Sequence, residues 1–148
     1  MKRFLSFTFA VMLTLSLLLF SGCKENGLNI IFYDYETGYD IATVNTVENE
    51  ATALCVIEAF NSDGDDVGYN VPETETFSVL FEDPKDSTYD IWYKVAIHDG
   101  KVYAKLDTEQ MDEEYGKTML ETGGFNDEVY GEMNITEEEF RGFLYIGE

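Results

Sequence analysis

The alternation of apolar and polar residues is clearest around Asp99-Gly100, a dipeptide that favours two-residue β-hairpin turns. Strands are expected over residues 88–98 and 101–107. A two-residue turn fixes the register of these strands, and in that register one face of the hairpin is wholly apolar. The facing pairs are Ile97–Val102, Val95–Ala104 and Tyr93–Leu106. The pattern therefore predicts that this face of hairpin 88–107 lies on the core.

A second hairpin is predicted over residues 28–44, which are rich in β-branched and aromatic residues. Gly38 lies in its three-residue loop, where glycine readily adopts the left-handed conformation that such a loop needs. Residues 75–83 alternate in the manner of a half-buried strand. One face of that strand holds Phe77, Val79 and Phe81. Together these segments predict an antiparallel sheet of about five strands.

A helical period appears first over residues 46–60, where Asn45 and Glu48 have the residue types and spacing of a capping pair. Periodicity leaves a buried strand over residues 53–60 as the alternative. The face of the helix that is expected to meet the sheet holds Val47, Ala51, Leu54 and Cys55. Cys55 lies within an apolar run, so we expect a small buried residue rather than a reactive thiol.

Two further helices are predicted in the C-terminal third of the chain. Thr108 can cap the first, and Gly123-Gly124 would end it. The apolar face of that helix holds Met111, Tyr115 and Met119. Thr136 and Glu139 form a capping box ahead of a short terminal helix, with a strand over residues 140–146 as the alternative.

These elements predict the α+β class, with two or three helices packed on the antiparallel sheet. Residues 125–134 between the last two helices are expected to be a loop or a short strand. Residues 28–148 are sufficient for one domain with its own core and too few for two comfortable ones.

The N-terminal segment has a different pattern. Residues 4–20 are almost wholly apolar and uncharged, Lys2 and Arg3 precede them, and Phe20-Ser21-Gly22-Cys23 follows. A basic start, an apolar middle and small residues before a cleavage site are typical of a secretory signal. An uncleaved transmembrane anchor is the alternative, although residues 4–20 are slightly shorter than the roughly 20 apolar residues that a spanning helix needs.

Residues 1–23 resemble the signal peptide and lipobox of bacterial lipoproteins, with Phe20 where that pattern usually has leucine. The resemblance implies cleavage before Cys23 and acylation of that cysteine. Residues 1–22 would then be the signal peptide, and residues 23–27 the lipidated cysteine with a short tether. Acyl chains contribute about 0.8 kcal/mol per buried methylene, so two or three would hold the protein on a bilayer durably. We therefore expect an exported protein on the periplasmic face or cell surface of a bacterium.

Charge limits the partners of this protein. Removal of residues 1–22 takes away Lys2 and Arg3 and no acid, which leaves 7 basic against 30 acidic residues and a formal net charge of −23. Nucleic acid is excluded as a partner because its recognition needs a basic surface. Such a charge also keeps a tethered domain soluble, and it favours cations and basic partners.

The solvent-facing side of hairpin 88–107 is the first candidate site. It is predicted to carry the single His and the single Trp together with three of the seven basic residues left after cleavage. The candidate residues are Trp92, Lys94, His98, Lys101, Tyr103 and Lys105. Lys94 and Lys105 would oppose one another directly, which is unfavourable unless an anion lies between them. This face could dock an acidic group, or a sugar stacked on Trp92 and Tyr103; neighbouring acids or the C-terminal helices could instead cover it.

The second candidate is an acidic turn in which oxygen-bearing side chains open a calcium-type pattern. Its candidate ligands are Asn61, Asp63, Asp65 and Asp66. An EF-hand is excluded because the sixth position needs glycine and holds Asp66, and the twelfth needs glutamate and holds Pro72. A looser and weaker calcium site is one expectation, and an acidic turn without a ligand is the other.

Catalytic patterns are weaker still. A nucleophile–base pair would need His98, there is no Gly-x-Ser-x-Gly elbow, and one histidine with one free cysteine cannot form a zinc cluster. We therefore predict a membrane-anchored lipoprotein with a non-catalytic binding domain and no cofactor other than a possible calcium ion. The alternatives are a weak divalent-cation binder and an envelope hydrolase of unspecified substrate.

Overall fold

The computed structural model describes residues 27–61, 71, 75–122 and 126–145. The strands in these ranges are β1 (Asn29–Asp34), β2 (Asp40–Asn45), β3 (Thr76–Glu82), β4 (Ile91–His98), β5 (Lys101–Leu106) and β6 (Gly131–Thr136). The helices are α1 (Glu50–Asn61), α2 (Glu113–Thr122) and α3 (Glu137–Leu144). Two short 3-10 turns lie at Ser87–Tyr89 and Thr108–Gln110.

The strands form one sheet in the order β2-β1-β3-β4-β5-β6, and every neighbouring pair is antiparallel. The predicted α+β class is confirmed, with one strand more than expected. The additional strand is β6, which lies at the end of the stretch that the sequence left open between loop and strand.

The β4–β5 hairpin has the predicted register. His98 pairs with Lys101, and the apolar pairs follow behind it along both strands. Asp99 and Gly100 occupy the turn with φ of 50° and 75°. Positive φ at both central residues is the requirement that makes Asp-Gly a strong hairpin signal, because few other residue pairs accept it.

The β1–β2 hairpin is also confirmed, and its loop is held by one carboxylate. The Oδ1 of Asp34 accepts hydrogen bonds of 2.8 Å from both the backbone N–H and the hydroxyl of Thr37. These bonds favour the charged form and lower the pKa of Asp34. Gly38 follows with a φ of 69°, so the predicted left-handed glycine is in place.

Helix α1 replaces the strand that was the alternative for residues 53–60, but its predicted start and face were wrong. The Oδ1 of Asn45 accepts from the backbone N–H of Val47 and of Glu48, which closes a turn, and the helix begins at Glu50. The residues expected to face the sheet, Val47 and Leu54, are exposed, and so is Cys55. The buried residues are Ala53, Val56, Ile57, Ala59 and Phe60.

Helix α2 likewise begins later than predicted. Thr108 lies in a 3-10 turn instead of capping the helix, and its hydroxyl donates to the Oδ2 of Asp127 over 2.9 Å. The N-terminal cap is Asp112, whose Oδ1 accepts from the backbone N–H groups of Glu114 and Tyr115. Met119 is buried against the sheet as expected. The Gly123-Gly124 stop lies outside the described residues.

Helix α3 begins where the capping box predicted. The hydroxyl of Thr136 accepts from the backbone N–H of Glu139, and the Glu139 carboxylate accepts from the backbone N–H of Thr136 over 2.7 Å. The alternative of a strand over residues 140–146 was wrong. Phe140 has an exposed fraction of 0% and packs edge-on against Phe32 with ring centroids 5.9 Å apart.

The helices lie on one face of the sheet, called the inner face here. Its core joins β-strand residues such as Phe32, Val79 and Tyr93 to Phe60 of α1 and Phe140 of α3. Both α1 and α3 contact the edge strands β2 and β6, so the helices bridge the two edges of the sheet. The opposite face, called the outer face, therefore carries the side chains that alternate with this core.

Both edge strands are irregular. The pairing shifts between Phe32 and Tyr33, so Ile41 of β2 is an extra residue without a partner in the ladder. A second shift lies between Lys101 and Tyr103, opposite β6. Such bulges increase the local twist of a strand.

Candidate functional site

The outer face brings together all six residues of the first candidate site. Lys94 opposes Lys105, and His98 opposes Lys101, in the register that the hairpin turn fixed. Tyr103 opposes Ala96 in the row between them, and Trp92 lies at the start of β4. The predicted clustering is therefore present, and the surroundings of each side chain decide what this surface can bind.

The two opposed lysines are directed apart by aromatic rings. The Nζ of Lys94 lies 4.1 Å from the ring centroid of Tyr35, and the Nζ of Lys105 lies 4.9 Å from that of Tyr130. Tyr35 follows β1 and Tyr130 precedes β6, on opposite sides of the β4–β5 hairpin in the strand order. Cation–π attraction and separation of the ammonium groups both reduce the repulsion expected between directly opposed lysines.

Trp92 is partly buried and stacks on Tyr33. The ring centroids are 5.7 Å apart and the planes are inclined by 25°. Burial raises the pKa of the Tyr33 hydroxyl, and the neighbouring carboxylates Glu82, Asp40 and Asp90 raise it further. One face of the indole is therefore covered within the domain.

Tyr103 is not the exposed stacking platform that was predicted. Its exposed fraction is 7%, because it packs in a small cluster with Val71, Ala96 and Tyr130. Val71 lies 32 positions earlier in the chain, in a stretch without a strong pattern, so the sequence offered no signal for this contact.

His98 and Lys101 have acidic neighbours. The Nζ of Lys101 lies 2.9 Å from the Oε1 of Glu132 in β6, and the Nε2 of His98 lies 3.3 Å from the Oδ2 of Asp99 in the turn. The expectation that acids of the chain neutralise this face is thus met at Lys101. These pairs are partly exposed to solvent, and such surface pairs contribute little to stability.

A row of polar side chains, which sequence reasoning missed, crosses the outer face at the other end of the strands. Asn45 Nδ2 donates to Asn29 Oδ1 over 2.8 Å, and Asn29 Nδ2 donates to Glu82 Oε2 over 2.9 Å. Burial raises the pKa of the nearby Asp90, and repulsion from Glu82, Asp83 and Asp86 adds to this, against one backbone hydrogen bond from Asp83 that lowers it. This end of the sheet is therefore dense in carboxylates.

A shallow groove of about 610 Å³ lies between α3 and the β4–β5 turn, and sequence reasoning did not identify it. Its lining is Gly100, Thr136, Glu137, Glu138, Arg141, Gly142 and Tyr145. The guanidinium of Arg141 is already engaged, by Glu75 at 2.6 Å and by Glu137 at 2.7 Å. This pairing ties the segment before β3 to α3.

The second candidate site lies largely outside the described residues, which contain Asn61 but not Asp63, Asp65 or Asp66. Asn61 ends α1, and its Oδ1 is buried and has no hydrogen-bond partner among the residues that the structure describes. Within residues 27–61, 71, 75–122 and 126–145, no three His, Cys, Asp or Glu side chains come together as metal ligands do.

The lipidation site Cys23 and the signal segment also lie outside the described ranges. In the part of the chain that the structure describes, none of the helices has the length and apolar character needed to cross a membrane. No family model matches this chain, and neither the curated proteins nor the solved structures contain a match to it.

Proposed function

We propose that this protein is a lipid-anchored component of a bacterial envelope whose domain works by binding rather than by catalysis. The support for the anchor is the signal segment that ends in Phe20-Ser21-Gly22-Cys23. Replacement of Cys23 by alanine is expected to abolish the incorporation of labelled fatty acid into the full chain. Persistent labelling of the Cys23→Ala protein would show that the anchor proposal is wrong.

The observation that carries the binding proposal is the division of the sheet into two faces. The helices pack on the inner face, while Trp92, Lys94 and Lys105 share the outer face with their aromatic neighbours. Lysines held on rings are oriented, so they can bind an acidic group with little loss of side-chain freedom. The favoured ligand of this face is thus a carboxylate-bearing sugar or another small acid.

Binding of an acidic oligosaccharide tests whether the outer face is a binding site for acids. We expect oligogalacturonate to bind the full chain in detergent, and the double substitution Lys94→Met with Lys105→Met to weaken binding at least about fivefold. The matched control is Lys117→Met, because Lys117 is an exposed lysine on α2. Equal weakening by the control would attribute binding to general charge and reject the site.

Weak calcium binding is the second candidate function, and it is favoured by the buried Oδ1 of Asn61, which has no hydrogen-bond partner in the described part of the chain. A ligand at 100 times its dissociation constant stabilises by about 2.7 kcal/mol. We therefore expect 10 mM calcium, about a hundredfold above a dissociation constant near 0.1 mM, to raise the melting temperature of the full chain by several degrees. Equal rises with magnesium and with sodium chloride at matched ionic strength would reflect screening alone.

A further inference from the structure

The point at which the chain enters the domain is fixed at one end of the sheet. Gly27 has a φ of 61°, and a Cβ there would lie 2.7 Å from the Oγ1 of Thr46. The backbone N–H of Leu28 donates to that same hydroxyl oxygen over 2.8 Å, and the backbone N–H of Thr46 donates to the carbonyl of Leu28. The start of β1 is thus secured to the turn that follows β2.

This entry point determines which end of the sheet faces a bilayer if Cys23 is lipidated. Residues 24–27 separate the cysteine from Leu28, and four residues span at most about 14 Å. The β1–β2 loop lies at the far end of β1, whose six residues extend about 20 Å. The tip of the β1–β2 hairpin, residues 35–41, is therefore the part of these strands presented away from the membrane.

The hairpin tip exposes large apolar side chains. Tyr39 has an exposed fraction of 75%, and Tyr35 and Ile41 have exposed fractions of 43% and 42%. Ile41 is the extra residue of the β2 bulge, so no ladder partner fixes it against the sheet. Exposed apolar residues are unremarkable one at a time, but a concentration in seven residues marks a contact surface.

The charge of the hairpin tip indicates which kind of partner it can bind. Asp34, Glu36 and Asp40 lie within or beside residues 35–41, with no basic residue among them. The domain already contains one such contact between a cation and a ring, because the ammonium of Lys94 lies over the ring of Tyr35. Tyrosine rings flanked by carboxylates attract lysine and arginine side chains through cation–π and ionic contacts, and the acidic field of the whole chain adds to this attraction.

We propose that the hairpin tip, residues 35–41, is a docking surface for a basic segment of a partner protein. Its direction away from the membrane rests on the proposed lipid anchoring, while its ligand preference does not. This surface meets the lysines of the outer face at Tyr35, over which Lys94 lies, and it has the opposite charge preference, so the test uses Tyr39 instead of Tyr35.

The test measures binding of a fluorescent peptide of alternating glycine and arginine to the full chain in detergent, at about 0.15 M ionic strength. Tyr39→Ala is expected to weaken binding about two- to fivefold, the range that an exposed cation–π contact supplies. Tyr145→Ala is the matched control, because Tyr145 is an exposed tyrosine (64%) outside the tip. It should leave the affinity unchanged.

Equal affinities for the Tyr39→Ala and Tyr145→Ala proteins would overturn the docking surface, because general charge alone would then hold the peptide. The direction is tested by repeating the measurement on the protein reconstituted in phosphatidylcholine vesicles. We expect the peptide affinity to match that in detergent. Loss of binding only in vesicles would place the tip against the bilayer, and mass analysis of Cys23 reports separately on the anchor.

Discussion

The two faces of the sheet are built from the same six strands and differ in what completes them. On the inner face, Phe140 of α3 and Phe60 of α1 fill the space over a continuous apolar surface. On the outer face, lysines lie on tyrosine rings and Trp92 lies on Tyr33. The inner face gains its free energy from complete removal of apolar area from water, whereas the outer face combines the small buried cluster around Tyr103 with weaker, partly exposed contacts.

This difference implies that the inner face determines stability, while the outer face carries the residues of the proposed binding surface. The largest expected effect therefore comes from Phe140, which is fully buried between Phe32 and Phe77. Phe140→Ala should cost about 3–5 kcal/mol of unfolding free energy, measured by chemical denaturation. Phe143→Ala, at a partly buried position of the same helix, should cost clearly less. Equal losses would mean that α3 packs less selectively than the structure indicates.

Trp92 is the corresponding aromatic residue of the outer face. It is partly exposed and has one stacked neighbour, so Trp92→Ala should cost about 1–2 kcal/mol and shift the melting temperature by a few degrees. Thermal denaturation followed by circular dichroism measures this. A loss as large as that of Phe140→Ala would show that Trp92 belongs to a core, and the outer face would no longer be a candidate binding surface.

Substitution of the residue that caps α3 tests how much the start of this helix contributes to the stability of its packing on the inner face. Thr136→Ala removes the hydroxyl that accepts from the backbone N–H of Glu139 and should cost about 1 kcal/mol. Thr118→Ala on α2 is the control, because its exposed hydroxyl merely donates to the carbonyl of Glu114. If both substitutions cost the same, the cap contributes nothing specific to the docking of α3.

The smallest expected effect concerns the opposed lysines. Because Lys94 and Lys105 are directed towards different rings, we expect a double-mutant cycle of Lys94→Met and Lys105→Met to give a coupling below about 0.5 kcal/mol. The free energy of unfolding of the four proteins at low and moderate salt supplies this value. An unfavourable coupling above about 1 kcal/mol, reduced by salt, would mean that the ammonium groups lie close together and could bind an anion between them.

The sequence predicted features whose causes are local. Asp99-Gly100 set the register of the β4–β5 hairpin because a two-residue turn leaves no freedom in pairing, and Thr136 with Glu139 located the start of α3 within one turn. The start of α1 was mispredicted because Asn45 closes a separate turn before the helix. Its face was mispredicted because a second apolar stripe at helical spacing, Ala53, Val56, Ile57 and Phe60, is the one that is buried.

The sequence predicted which residues form the candidate site, but it did not predict how exposed each side chain is. All six residues share one face because strand periodicity and register are sequence properties. The burial of Tyr103 depends on Val71, and the positions of the lysines depend on Tyr35 and Tyr130, which are distant in sequence. Contacts of this kind follow from the strand order, and no local pattern encodes them.

The irregular pairing of the edge strands has a consequence for crowding. If the protein is held on a membrane as proposed, its copies meet at high local concentration, and an open sheet edge is a template for joining one copy to the next. Here Ile41 interrupts the ladder at β2, and a second shift interrupts the pairing of β5 with β6. Neither edge strand, β2 or β6, offers a flat, regular row of N–H and C=O groups along its length, so the bulges oppose edge-to-edge growth into fibres.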